Sequence, residues 1–121
     1  MKKILLVENN VFLINIYTSQ LRKSGYSTSV VLDGETAIDR IKKNSPDLLI
    51  LDDDLSKIDG LSVLKMLRED MGLKELKIVM LLNFNNEGAA DNNSEFGVAR
   101  FFSKAENTAE EIAEEIKQIL N

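Results

Sequence analysis

Three consecutive aspartates, Asp52-Asp53-Asp54, follow directly on the apolar run Leu48-Leu49-Ile50-Leu51, and Glu8 follows another such run at residues 4–7. Lys104 stands just beyond a third, at residues 99–102. The 121 residues include no histidine and no cysteine. That excludes Ser/His/Asp and Cys/His catalysis, histidine-ligated zinc or iron, thiolate metal sites and disulfides. Any chemistry must run on carboxylates, lysine, hydroxyls and backbone. Carboxylates brought together repel, and burying them is costly unless a cation or basic group joins them. Lys104 is one such partner; a divalent cation held by oxygen ligands, with Mg²⁺ the usual choice, is the other. The plainer alternative is a solvated acidic turn. It is disfavoured because the aspartates directly follow a strand-like run and precede Lys57-Ile58-Asp59-Gly60.

Elements must bring these residues together. Short runs rich in Ile, Leu and Val at residues 4–7, 48–51, 78–81 and 99–102, with a weaker fifth at 27–32, are apolar on both faces, the mark of a covered parallel sheet. Helical patterns lie between them. Phe12 and Ile16 recur with the Leu13/Tyr17/Leu21 row up to a glycine stop at Ser24-Gly25. Ala37, Ile38 and Ile41 mark a second helix, started near Asp33-Gly34 and closed before Pro46; Leu61, Leu64 and Leu67 mark a third. Residues 87–96 should be helical by position, but Gly88, Asn92, Asn93 and Ser94 predict a short or irregular helix. Ile112, Ile116 and Ile119/Leu120 form the last, opened by a Thr108/Glu111 capping box.

Strand–helix alternation of this kind predicts an α/β fold with a doubly wound, five-stranded parallel sheet and right-handed crossovers. Its chemistry gathers at the carboxyl ends of the strands. Glu8, Asn9 and Asn10, Asp52 to Asp54, Leu82 and Asn83, and Lys104 all fall there. Glu8 and Asp52, ending adjacent strands, should lie about 5 Å apart.

The length predicts one domain, residues 1–121, with no effector domain attached. No apolar run reaches membrane-spanning length, and the amino-terminal run stops at Glu8, too early for a signal core. The expected location is therefore cytoplasmic. A net charge of −5 and no basic run exclude a nucleic-acid surface.

Lys3-Ile4-Leu5-Leu6-Val7-Glu8, then Pro46-Asp47-Leu48-Leu49-Ile50-Leu51-Asp52 with Asp59-Gly60-Leu61, then Ile78-Val79-Met80-Leu81, and finally Gly97 through Phe101-Phe102-Ser103-Lys104 resemble, in order and spacing, the receiver domains of bacterial response regulators. The resemblance spans the chain. It implies a flavodoxin-like (βα)5 receiver with strand order 2-1-3-4-5 and a role in two-component phosphorelay signalling. Asp52 would take a phosphoryl group from a histidine kinase, a phosphotransfer protein or a small phosphodonor by in-line attack. Mg²⁺ would be held by the acidic pair at Glu8 and Asn9, by Asp52 and by the backbone carbonyl of Asp54. Lys104 would stabilise the phosphoryl charge, and Leu82 and Phe101 occupy the switch positions. Output would pass to a downstream protein target or through a homodimer. No catalytic turnover is implied beyond self-phosphorylation.

The chain also departs from the family pattern. Asn9 replaces an aspartate, which should weaken Mg²⁺ binding; Asn10 does not restore the charge. Leu82 stands where a Ser or Thr hydroxyl contacts the phosphoryl group, and Ser103, by strand alternation, should point away from the Lys104 side. Ala105 replaces a proline often preceded by a cis bond, and a trans peptide is expected because a non-proline cis bond costs roughly 3–4 kcal/mol. Ser56 and Lys57 replace a proline-containing turn. Two alternatives follow: a pseudo-receiver that acts through protein contacts without phosphorylation, and, more remotely, a phosphatase using Asp52-Asp53-Asp54 as a D-x-D motif.

Overall fold

The computed structural model describes residues 1–83 and 96–121. Five strands, β1 (Lys3–Val7), β2 (Ser27–Val31), β3 (Leu48–Asp52), β4 (Lys77–Leu82) and β5 (Arg100–Ser103), form one sheet of order β2-β1-β3-β4-β5, and every pairing is parallel. The order matches the expectation. Helices α1 (Val11–Lys23), α2 (Gly34–Lys43), α3 (Gly60–Lys65) and α4 (Ala109–Leu120) connect and cover it. The expected helix at 87–96 falls almost wholly outside the described residues.

The strands alternate their apolar side chains between two layers. Leu5, Val7, Leu49, Leu51, Ile78 and Met80 face one core with Ala37, Ile38 and Ile41 of α2 and Val63 and Leu64 of α3. Ile4, Leu6, Leu48, Ile50, Val79 and Leu81 face the other, with Tyr17 and Leu21 of α1 and Ile112, Ala113, Ile116 and Leu120 of α4. Burial on both sides explains the continuous apolar runs of β1, β3 and β4, where only Lys3, Lys77 and Leu82 at the strand tips meet water. At about 25 cal/mol per Å², each fully buried Leu or Ile contributes roughly 1.5–3 kcal/mol.

The helix ends follow the sequence signals. Asn10 Oδ1 accepts from Leu13 N–H at 3.1 Å, Asp33 Oδ1 from Thr36 N–H at 2.8 Å and Asp59 Oδ1 from Ser62 N–H at 2.8 Å. The Thr108/Glu111 capping box closes in both directions at 2.9 and 3.1 Å. Gly25, at φ +95°, supplies the left-handed residue after α1. The apolar stripe of α1 is wider than its buried face, however. Tyr17 and Leu21 are buried, whereas Phe12 is 79% and Ile16 52% exposed, because they sit about one residue-step around the helix from the inward row.

Two features carried no sequence signal. The third helix widens after Lys65 into a π-helical turn, Met66–Asp70, closed by Met71 N–H donating to Met66 O at 2.9 Å. Within that turn Arg68 donates to four backbone carbonyls: Leu73 (2.6 Å), Leu76 (2.8 Å), Phe96 (2.7 Å) and Gly97 (3.3 Å). Its guanidinium pins the approaches to β4 and β5 onto the third helix.

Candidate functional site

Register builds the site. Val7 pairs with Leu51 across β1 and β3, so Glu8 and Asp52 are set side by side at the carboxyl end. Both side chains are buried, at 0% and 1% exposure. Glu8 is fixed twice: its N–H donates to Val31 O at 3.1 Å, and its Oε1 accepts from the N–H groups of Asn9 (3.1 Å) and Asn10 (3.2 Å). Asp52 Oδ1 accepts from Asp54 N–H at 3.0 Å. The remaining carboxylate oxygens converge on one ammonium, with Lys104 Nζ lying 2.8 Å from Asp52 Oδ2 and 3.3 Å from Glu8 Oε2. Lys104 is held in place by its own N–H, which donates to Leu82 O at 3.0 Å.

A single ammonium does not fully offset two buried carboxylates. Burial first, and the charge of Asp52 second, push the Glu8 carboxyl up to about 7 from an ordinary 4.5, against the pull of Lys104 and the Asn10 N–H. Burial also works against the charge on Lys104, but Asp52 and Glu8 outweigh it and hold its pKa above the usual lysine value. Tyr17 feels the same field from α1: burial, then Glu8 and Asp52, push its phenol up to about 12.

The other predicted positions divide. Asn9 is exposed and meets Glu8 through its backbone N–H. Asp54 is exposed, and its side chain accepts from Asn83 Nδ2 at 2.8 Å, a bond the sequence did not announce. Leu82 and Phe101 are half-buried against the α2/α3 core, whereas Phe102 is buried in the opposite one. Ser103 serves the loop beyond β5: its Oγ accepts from Glu106 N–H at 3.2 Å, and its N–H donates to Asn107 Oδ1 at 2.8 Å. The peptide between Lys104 and Ala105 is trans, as expected. Lys57 adopts φ +70° under a hydrogen bond from Ile58 N–H to Ser56 O at 2.8 Å, a strained three-residue turn in the loop after β3. Gly60, which opens α3, lies against that loop: a Cβ there would meet Asp53 Cα at 2.9 Å and Asp52 O at 3.2 Å.

All donors gathered here are hard oxygens, the set that suits Mg²⁺ rather than a softer metal. No cluster of three His, Cys, Asp or Glu side chains that could hold a metal occurs among the described residues. A cation held there by Glu8 and Asp52 would also need amide or backbone oxygens.

The family model of the response regulator receiver domain matches residues 4–117. The chain belongs to the response-regulator receiver family. Among curated relatives it is similar to the polar-differentiation response regulator DivK of Brucella ovis, at 28% identity over 103 residues, 85% of this chain and 84% of that protein. Among solved structures it resembles a chain assigned as a response regulator from Chloroflexus aurantiacus J-10-fl, with TM-score 0.89, 30% identity and coverage of 98% and 97% of the two chains. It likewise resembles the receiver domain of NtrX from Brucella abortus, with TM-score 0.87, 25% identity and 97% of each chain covered. This is a receiver domain of two-component signalling, and no helix among its described residues is long and apolar enough to cross a membrane.

Proposed function

We propose that Asp52 is the phosphoacceptor of this receiver. The observation that carries the reading is the buried Asp52 carboxylate at the end of the central strand, 2.8 Å from Lys104 Nζ. A carboxylate oxygen of Asp52 attacks phosphorus in line. The new O–P bond forms as the donor's N–P or O–P bond breaks, and the leaving group departs with the electron pair. Lys104, with Nζ 2.8 Å from Asp52 Oδ2, takes up negative charge on the transferred group in this reading. Mg²⁺ would suit the oxygen set: Glu8 and Asp52 would be its charged ligands, and the Asn9 side-chain amide and the Asp54 backbone carbonyl would complete it. When bound it neutralises charge on the phosphoryl oxygens, and the neutral Asn9 makes it weaker than an acidic pair would.

The donor in this reading is a histidine kinase or phosphotransfer protein, and the chain acts in the cytoplasm as one receiver domain, without turnover of its own. The exposed residues Val11, Phe12 and Ile16 begin three positions beyond Glu8, which sets an apolar landing surface beside the acceptor. Output passes through protein contacts, to a downstream target or a second copy. A pseudo-receiver is the second reading. It is favoured by the packing of Leu82 into the apolar layer, where a hydroxyl would have been needed at the phosphoryl group.

Acetyl phosphate or beryllofluoride with Mg²⁺ tests the choice. A phosphoryl mass shift, absent in Asp52→Asn, is expected. A wild-type chain that forms no adduct at millimolar Mg²⁺ is a pseudo-receiver, and steady hydrolysis of a phosphate ester would instead restore the phosphatase reading.

A further inference from the structure

Leu82 leaves this receiver without a hydroxyl at the end of β4, yet the next residue supplies a donor. Asn83 is the first residue past the strand, and its amide reaches back to the loop that follows Asp52, with Nδ2 donating to Asp54 Oδ2 at 2.8 Å. Asp54 N–H in turn donates to Asp52 Oδ1 at 3.0 Å. Two hydrogen bonds thus join the exit of β4 to the loop and carboxylate of the acceptor. Leu82 cannot take part: its side chain lies with Phe101 in the apolar layer.

A phosphoryl group on Asp52 changes the competition for that amide. It brings about −1.5 to −2 charges and three acceptor oxygens to a point two residues from the Asp54 carboxylate. The two anions repel, and a charge-assisted bond to the phosphoryl group outmatches one to a solvent-exposed carboxylate. We propose that Asn83 is the phosphoryl-sensing residue of this chain: its amide exchanges Asp54 for a phosphoryl oxygen and draws the end of β4 towards Asp52. Because Leu82 is the next residue back and packs in the same layer as Phe101, that displacement reaches β5 without a hydroxyl at position 82. The inference rests on Asp52 being the phosphoacceptor.

The test titrates beryllofluoride with Mg²⁺ into the full chain and follows it by NMR, reading the Asn83 side-chain NH₂ and the Phe101 backbone amide; acetyl phosphate and mass spectrometry report modification separately. In the wild type both signals are expected to move on adduct formation. Asn83→Ala should still be modified at Asp52. It should bind beryllofluoride about tenfold more weakly, the factor that corresponds to 1.4 kcal/mol, and lose the Phe101 shift. Asn83→Asp, which keeps the shape but has no N–H, should be weaker still. Asp54→Ala should bind severalfold more tightly, since it frees the amide and removes a competing charge. A bond that was only structural would make Asn83→Ala and Asp54→Ala weaken binding alike, and that result overturns the proposal. So does an Asn83→Ala chain that binds and shifts as the wild type does. A wild-type chain with no adduct overturns the phosphoacceptor reading itself, a failure distinct from the other two.

Discussion

Glu8 is buried beside a second carboxylate, and its own carboxyl carries an electrostatic cost for that placement. Its carboxyl sits at about 7 in the folded chain and near 4.5 when exposed. Between those values the folded state holds a proton that the unfolded state has released. The stability this group contributes is therefore greatest in acid and is lost as pH rises through about 7. Lys104 behaves likewise at the alkaline end: its raised value means its pairing is lost only as pH climbs past the ordinary lysine range. Glu8→Gln mimics the protonated state and leaves the Lys104–Asp52 pair in place. It is predicted to raise the unfolding free energy at about pH 8 by roughly 1–3 kcal/mol and to flatten its slope down to about pH 5. Urea titrations across that range check this, and an unchanged slope would place the cost on another residue. At this scale the sequence was largely legible. Glu8, Asp52 and Lys104 each follow an apolar run, so strand ends alone brought them together. The Asn83–Asp54 bond was not legible, because it depends on how far the β3–α3 loop folds back over the strand tips.

The connection after β3 shows how an element holds Asp52. A methyl group at Gly60 would push on Asp53 Cα and Asp52 O, and backbone cannot yield as a side-chain tip would. Gly60→Ala is predicted to cost about 1–3 kcal/mol and, if Asp52 is the phosphoacceptor as proposed, to slow its acetyl-phosphate modification, because the shift is delivered to the backbone of Asp52 itself. Paired denaturation and modification rates test it; a variant destabilised yet modified at the normal rate would uncouple the loop from the site. The elements read from the sequence were those with a dominant period: continuous apolar strands, and α4 with its capping box. The face of α1 was harder, since Phe12 and Ile16 share the helical spacing of the buried row and differ from it only by rotation about the axis. The π-helical turn and its Arg68 clamp were invisible because two of the carbonyls that Arg68 meets, Phe96 and Gly97, lie 28 and 29 residues on, which no local pattern encodes.

For the whole molecule, the exposed α1 residues and the buried Asp52, the proposed phosphoacceptor, lie at the same end of the sheet. A protein donor should need both, and a small phosphodonor only the second. Phe12→Ser combined with Ile16→Ser should change stability by no more than about 0.5 kcal/mol, as surface substitutions do, and leave acetyl-phosphate modification intact. Transfer from a phosphohistidine protein should fall by about tenfold or more. Equal loss with both donors would argue against a docking role. The Arg68 clamp carries a consequence of another kind, in the order of folding events. Two of its four acceptors, Phe96 and Gly97, lie 28 and 29 residues away, and Leu73 and Leu76 sit on the approach to β4. They can be collected only after both strands have docked, so the clamp belongs to the last steps of assembly. Arg68→Ala should therefore leave the refolding rate nearly unchanged and accelerate unfolding by about tenfold or more, a signature stopped-flow chevrons read directly. In kinetic terms this one guanidinium acts as a bolt shot after the door has closed, setting how long the native receiver lasts and not how quickly it forms.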